Sequence, residues 1–424
     1  MANITLNLLL TGDEIMSGDI IDSNSAMMAD LLASLGLRPN KKVTVGDDLN
    51  LLVNEINTLS KQADVLIVNG GLGPTEDDKT AEALAAVLGQ PLEDNVQAIA
   101  QIEAWCQRHN YPMNAANRKQ GVLPKGINIM ENLNGSAPGF YGEHNGCLMF
   151  FTPGVPSELR SMLTHSILPK IEGRFDSIEA HTTKRIQVFG IGESSLQLKL
   201  REGISNWPQD IELGFRAAFP QVEVKLTAHS AQAEQQLGQL SDHIKALLGG
   251  HVLAEGAIEL PELLVSLLKE KNQTITTVES CTGGLIASKI TSVAGSSSVF
   301  GAGFVTYSNE MKTAMVGVNE QTLIDNGAVS EPVVIEMTKG ALEKSGSDWA
   351  IAVSGVAGPG GGTDDKPVGT VWVAWGNKEN IKTVKLFFPF ARVRFQEYVA
   401  SVGVDLIRRE LLGVSETPYY FSKK

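Results

Sequence analysis

Cysteine is scarce in this 424-residue sequence: only Cys106, Cys147 and Cys281 occur, too scattered and odd in number for a disulfide framework or a CxxC metal site. A reducing compartment, the cytoplasm, is the expectation. No histidine lies beyond His251, so the rest of the chain must do any chemistry without imidazole. Long apolar runs are missing as well. The stretch Ile4 to Leu10 falls well short of the roughly 20 residues of a membrane span, and no basic residue precedes it. Neither a span nor a targeting segment is expected. Positive charge is the minority, 35 basic against 48 acidic residues for a formal net charge of -13, so the average surface repels nucleic-acid backbones and anionic membranes. Nucleic acid is not an expected partner.

What remains is the composition of a soluble globular protein, 43% hydrophobic and 20% charged, long enough for two or three domains at about 150 residues each. Three blocks are legible. Residues 1–170 alternate buried strands (NITLNLLL, ADVLIVN) with helical patterns (SAMMADLLASLGL, TAEALAAVLG), which predicts a parallel sheet covered by helices with ligand groups at the carboxyl ends of the strands. Residues 171–255 read as a small α/β module with an open or antiparallel sheet and a spacer role. Residues 256–415 open with the helix LPELLVSLLKEK and carry three strand ends with unusual residues. The tail SETPYYFSKK reads as a frayed terminus.

The first of those strand ends is TTVESCTGG (276–284). A β-branched run stops at Glu279, and Gly283 and Gly284 precede a helix, so Ser280 sits where helix-start N–H groups can stabilise an oxyanion. A serine before a helix is more commonly an N-cap, and Cys281 is a rival nucleophile ranked below Ser280. With no histidine, a Ser-His-Asp triad within the block is excluded, leaving Lys, Tyr, Glu or Asp as the base. GFVTYSNEMK (303–312) offers Tyr307 and Lys312; packing and a solvated helix face are their ordinary roles. SGVAGPGGGTDDKPVGT (354–370) crowds Gly355 and Gly358 with four more glycines around Lys366, the pattern of an anion-binding nest.

Together ESCTGG, GFVTYSNEMK, GAVSEP and SGVAGPGGGTDDKPVGTV resemble the C-terminal domain of the CinA (competence/damage-inducible protein A) family, whose stand-alone relatives are nicotinamide mononucleotide deamidases. The resemblance implies a C-terminal α/β amidohydrolase domain that turns nicotinamide mononucleotide into nicotinic acid mononucleotide and ammonia, without a cofactor. It implies Ser280 as nucleophile, Tyr307 and Lys312 as its activating partners, and Glu279 as a neighbour that orients substrate. Thr282, Gly283, Gly284, Gly355, Gly358 and Lys366 fall at substrate-binding positions. Where relatives carry a Gly-Asp-Arg element, this chain has PFARVRFQEY, with Arg392 the better match for a phosphate-binding arginine and Arg394 a substitute.

In the first block NGGLGPTEDDKT (69–80) sets Gly70, Gly71 and Gly73 before Glu76, Asp77 and Asp78, a glycine turn for a phosphate beside carboxylates for Mg²⁺. Acids in a first helical turn also suit the macrodipole, and Thr75 to Asp78 has capping-box spacing. With TGDEIMSGDIIDSNS, NAANRKQG and TPGVPSEL, the block resembles the N-terminal domain of the same family, related to the MoaB and MogA molybdopterin-binding fold, with Asn69 where relatives often have Thr. The resemblance implies metal-dependent hydrolysis of the ADP-ribose pyrophosphate, with Asp77 and Asp78 on a divalent cation, Gly71 and Gly73 as phosphate cradle and Lys119 as a phosphate contact. It implies a KH-like middle module, a structural linker or dimer element rather than an RNA clamp, and a homodimer. The alternative is a non-catalytic nucleotide- or pterin-binding protein acting in competence or the DNA-damage response. A third reading keeps the amidase and leaves the first block as a binding domain.

Overall fold

The computed structural model describes residues 4–175 and 182–422; residues 176–181, early in the expected middle block, lie outside them. The chain divides into two compact units, Met1–Thr182 and Thr183–Lys424. Among the described residues no helix is long and apolar enough to cross a membrane.

The first unit has strands β1 (Leu6–Thr11), β2 (Pro39–Val45), β3 (Val65–Asn69), a short antiparallel pair β4 (Leu92–Asp94) and β5 (Val122–Pro124), then β6 (Asn128–Met130), β7 (Gly139–His144) and β8 (Cys147–Thr152). Its main sheet runs β2-β1-β3-β8-β7-β6, parallel from β2 through β8 and antiparallel across β7 and β6. The parallel strands β1, β3 and β8 are buried along their whole length, as apolar runs covered on both faces should be. The expected parallel α/β domain is present, with an antiparallel margin.

The second unit contains two sheets. One comprises β9 (Thr182–Phe189), β10 (Ile211–Ala218), β11 (Gln221–Ala228) and β12 (Val252–Glu255) in the order β10-β11-β9-β12, with β10/β11 and β9/β12 antiparallel. The other comprises β13 (Ile275–Glu279), β14 (Phe300–Val305), β15 (Trp349–Gly355), β16 (Thr370–Gly376) and β17 (Ile381–Phe387), in the order β14-β13-β15-β16-β17. Here β13 pairs in parallel with β14 and β15, while β16 and β17 continue antiparallel.

The middle module does more than space its neighbours, because Phe189 and Leu253 belong to the same apolar core as Leu264, Ile286, Ile351 and Phe395 of the C-terminal part. Buried Arg408, on the long helix Arg392–Leu412, donates to the carbonyls of Gly250 (2.6 Å) and Val252 (3.3 Å). The tail corrects the expectation of a frayed end. Tyr420 is fully buried, its hydroxyl donates to Asp405 Oδ2 (2.8 Å), and a Cβ at Gly190 would meet its ring at 2.7 Å. Gly190 therefore makes room for an aromatic side chain of the same unit.

Candidate active site

Strand register builds this site. Glu279 at the end of β13 pairs with Val305 of β14 and Val353 of β15, so β13 and β14 finish level while β15 runs on to Gly355. The ladder extends one residue further, with Ser280 N–H donating to Val353 O (3.0 Å) and Thr306 N–H to Glu279 O (2.9 Å). Ser280, Thr306 and Ser354 thus emerge side by side at the carboxyl edge. Three residues past β14 the helix Asn309–Val316 starts, with Ser308 accepting from Met311 N–H as its N-cap. Its C-terminal end lies against the helix Glu331–Ser345, where any Cβ at Gly340 would run into the Val316 carbonyl.

That placement buries Lys312 almost completely and aims it back at the strand ends. Its Nζ lies 3.2 Å from Ser280 Oγ and donates to the carbonyls of Thr306 (2.9 Å) and Tyr307 (3.4 Å). No carboxylate is bonded to it, and burial pulls the ammonium below the usual lysine range, with Cys281 and then Glu310 opposing. A buried amine whose ammonium form is disfavoured, set against a serine hydroxyl, has the arrangement of a nucleophile–base pair.

Glu279 has a different place from the one expected of a substrate-orienting neighbour. Fully buried, its carboxylate accepts from Thr282 Oγ1 (2.6 Å) and the N–H groups of Gly284 (3.1 Å), Ile286 (3.0 Å) and Ala287 (2.9 Å). It caps the helix Leu285–Thr291 and holds the turn, so those helix-start donors, expected to serve an oxyanion, are occupied. Thr282 likewise spends its hydroxyl on Glu279. Gly283 (φ +64) and Gly284 (φ +100) take left-handed backbone that lets the turn fold over the carboxylate.

Among the described residues no backbone carbonyl takes the N–H groups of Cys281 and Thr282, which follow Ser280 directly. Gly283 N–H holds the Ser280 carbonyl (3.1 Å), and Gln396 Nε2 holds that of Cys281 (2.8 Å), fixing the two peptide planes that carry the N–H groups of Cys281 and Thr282. Gln396 was not singled out from the sequence, where nothing distinguishes it from any glutamine on a helix. The Cys281 thiol is buried and pushed up to about 12, chiefly by desolvation, so it is inert at neutral pH.

Tyr307 is 59% exposed, and its phenol faces Arg392 rather than Ser280 in the hydrogen-bond pattern: Arg392 Nη2 donates to Tyr307 Oη (2.9 Å) and Nη1 to Gly358 O (2.8 Å). Arg392 thereby bridges the glycine loop and Tyr307 at the site's outer rim. Arg394 instead stacks over Phe219, 4.4 Å from the ring centre. Lys366 donates to Asn326 O (2.8 Å), tying the glycine loop down. A Cβ at Gly355 would press on the Thr370 carbonyl at 2.7 Å, so that glycine serves strand packing.

In the first unit a cavity of about 570 Å³ opens at the carboxyl ends of β1 and β3, lined by Gly70, Gly71, Gly73, Asp77, Asp78 and Glu158 among others. Gly71 (φ +66) lies against Thr80, and Gly73 against Asp78. Asp78 Oδ2 accepts from Thr75 N–H (2.9 Å) and Thr75 Oγ1 (2.5 Å), so one oxygen shapes the turn. The exposed Asp77 carboxyl lies below its ordinary range, with the Thr75 hydroxyl and its own backbone N–H beside it. Lys119, expected at a phosphate, donates to the carbonyls of Thr75 and Asp78 (3.0 Å for the latter) and braces that turn. Asn69 donates to Thr152 Oγ1 (3.1 Å) and Pro153 O (2.7 Å) while accepting from Asn24 (2.9 Å), a polar brace at the cavity floor that sequence reading did not find.

Among the described residues no three His, Cys, Asp or Glu side chains converge as a self-sufficient metal cage. Asp77 and the remaining oxygen of Asp78 fit a different mode, that of Mg²⁺ held by one or two carboxylates and completed by phosphate oxygens and water.

Three family models match successive parts of the chain. Residues 7–173 match the family described as probable molybdopterin binding domain, 183–254 the damage-inducible protein CinA KH domain, and 257–411 the CinA C-terminal domain. A CinA-like protein of Colwellia psychrerythraea is 50% identical over 422 residues, 99% of this chain and 98% of its own length. Another CinA-like protein, of Shewanella sediminis, is 41% identical over 409 residues, 96% of each chain. The crystal structure of the competence/damage inducible protein CihA from Agrobacterium tumefaciens is 37% identical, covering 36% of this chain and 93% of its own, with a TM-score of 0.35. With near-complete coverage at half identity, the chain belongs to the CinA family.

Proposed function

We propose that the C-terminal domain hydrolyses the carboxamide of nicotinamide mononucleotide, giving nicotinic acid mononucleotide and ammonia. The observation that carries the reading is the buried Lys312 amine 3.2 Å from Ser280 Oγ, with no carboxylate to keep it charged. In its neutral form two N–H bonds go to the Thr306 and Tyr307 carbonyls, and the lone pair is left to receive the serine proton.

Ser280 Oγ attacks the amide carbon as its proton passes to Lys312. The oxyanion is held by the N–H groups of Cys281 and Thr282. Collapse breaks the C–N bond, Lys312 returns the proton to the leaving nitrogen, and ammonia departs from an acyl ester on Ser280. Water then attacks that ester, giving a proton to Lys312, which restores it to Ser280 as the carboxylate leaves. Arg392 keeps free N–H donors beyond those it spends on Gly358 and Tyr307, and these suit the substrate phosphate.

The test is ammonia and nicotinic acid mononucleotide released in equal amounts by the full chain. Cys281→Ala will keep the wild-type rate. No ammonia from the wild type would favour the non-catalytic nucleotide-binding reading, and activity lost in Cys281→Ala would make the cysteine, not Ser280, the nucleophile.

A second activity is favoured by the first unit's cavity, where a glycine turn meets Asp77 and Asp78. We infer that it cleaves the pyrophosphate of ADP-ribose. When bound, Mg²⁺ would neutralise the phosphate oxygens; this chain's own part is to hold it through Asp77 and Asp78 and to offer the turn's N–H groups to a phosphate. Phosphomonoester release from ADP-ribose will require Mg²⁺ and will fall about a hundredfold in Asp77→Asn, whose exposed site leaves folding untouched. Unchanged release in that variant would leave the first unit a binding domain.

A further inference from the structure

Gln396 lies 115 residues from Cys281 in sequence, yet its side-chain amide holds the Cys281 carbonyl at 2.8 Å. In a trans peptide the C=O and the following N–H point in opposite directions, so fixing this carbonyl fixes the direction of Thr282 N–H. Donation to the carbonyl also polarises the peptide and makes that N–H a stronger donor. The carbonyl before it, Ser280 O, needs no such help because Gly283 N–H holds it within the turn. Of the two peptide units behind the nucleophile, one is therefore set by the turn itself and the other by a side chain from elsewhere.

We propose that Gln396 is a positioning residue of the oxyanion site, orienting Thr282 N–H toward the tetrahedral intermediate without touching substrate. Its place on the helix Arg392–Leu412 gives it a second role. Arg392, one turn earlier on the same face, bridges Gly358 and Tyr307 at the rim. A phosphate that engages Arg392 and settles this helix end also settles Gln396. Binding at the far end of the substrate is thus converted into transition-state stabilisation at the amide, and appears in kcat.

This rests on the serine amidase reading, and two variants separate the ideas. Gln396→Met keeps the shape and removes the donor; Gln396→Arg changes the shape and restores donors. With nicotinamide mononucleotide as substrate, the methionine variant will lose kcat by roughly ten- to a hundredfold, less than deletion of a whole oxyanion donor, with KM nearly unchanged. The arginine variant will recover most of the loss. A residue that merely filled space would give the opposite order.

Acylation of Ser280 by p-nitrophenyl acetate, followed as a nitrophenolate burst, provides a readout that needs no nucleotide. It will slow by a similar factor in Gln396→Met and be absent in Ser280→Ala. If the wild type fails on the nucleotide but acylates with the ester and the methionine variant slows it, the substrate assignment falls and the positioning role stands. Wild-type burst rates in Gln396→Met, or greater loss in the arginine variant, would overturn the proposal.

Discussion

Lys312→Met will lower ammonia release from nicotinamide mononucleotide by about 10⁴-fold, near the upper end of what a single general base contributes. Ser280→Ala will do the same, and the double variant will lose little more, because the two act as one unit. Methionine matches the lysine stem in length, so the buried site accepts its shape; the Thr306 and Tyr307 carbonyls lose their donor, and the thermal midpoint will fall modestly with the fold kept.

The sign of the pH dependence follows from the same burial. Desolvation lowers the Lys312 pKa, and the amine is protonated and has no lone pair below that value. Activity therefore rises with pH through the depressed pKa and then levels off. The limb in kcat/KM will lie below the ~10.4 of a free lysine, and a limb at that ordinary value would mean that Lys312 is not the base.

Glu279→Gln will damage both stability and activity, which separates support from chemistry. Four donors converge on that carboxylate, three of them backbone N–H groups of the turn and helix start. An amide keeps one acceptor oxygen and turns an NH₂ group toward N–H donors that have no other partner. One or two buried charge-assisted hydrogen bonds are lost, a destabilisation of about 3 kcal/mol. The turn that presents Ser280 loosens, so ammonia release will fall along with the thermal midpoint of the C-terminal part. A variant with normal stability and no activity would return Glu279 to a direct role on the substrate.

Much of this site is legible in the sequence for local reasons. The β-branched run before Glu279 and the glycine pair after Thr282 mark a strand end and a tight turn, and the turn is there. Arg392 and Arg394 stand two apart on a helix and so face different sides; one reaches the glycine loop and the other Phe219.

Other features depend on distant pairings that no local pattern records. A carboxylate that caps a buried helix reads in sequence like one awaiting a substrate, which is why Glu279 is misread. Lys119 and Lys366 read as phosphate contacts, yet both spend their amines on backbone carbonyls of segments distant in sequence, Asp78 for the first and Asn326 for the second. Gln396 acts across 115 residues. The tail carries a local signal of its own. Tyr419, Tyr420 and Phe421 are three consecutive aromatics, and such residues seldom end a chain unburied without cause; Tyr420 meets Asp405 in the core.

The central claim is a covalent intermediate on Ser280, and acid quenching of the wild type during turnover of nicotinamide mononucleotide, followed by peptide mass analysis, tests it directly. The account predicts the acyl nucleotide on the peptide spanning 276–289, located at Ser280 and absent from Ser280→Ala. An adduct on Cys281, or turnover with ammonia release and no adduct under a quench that preserves esters, would contradict it.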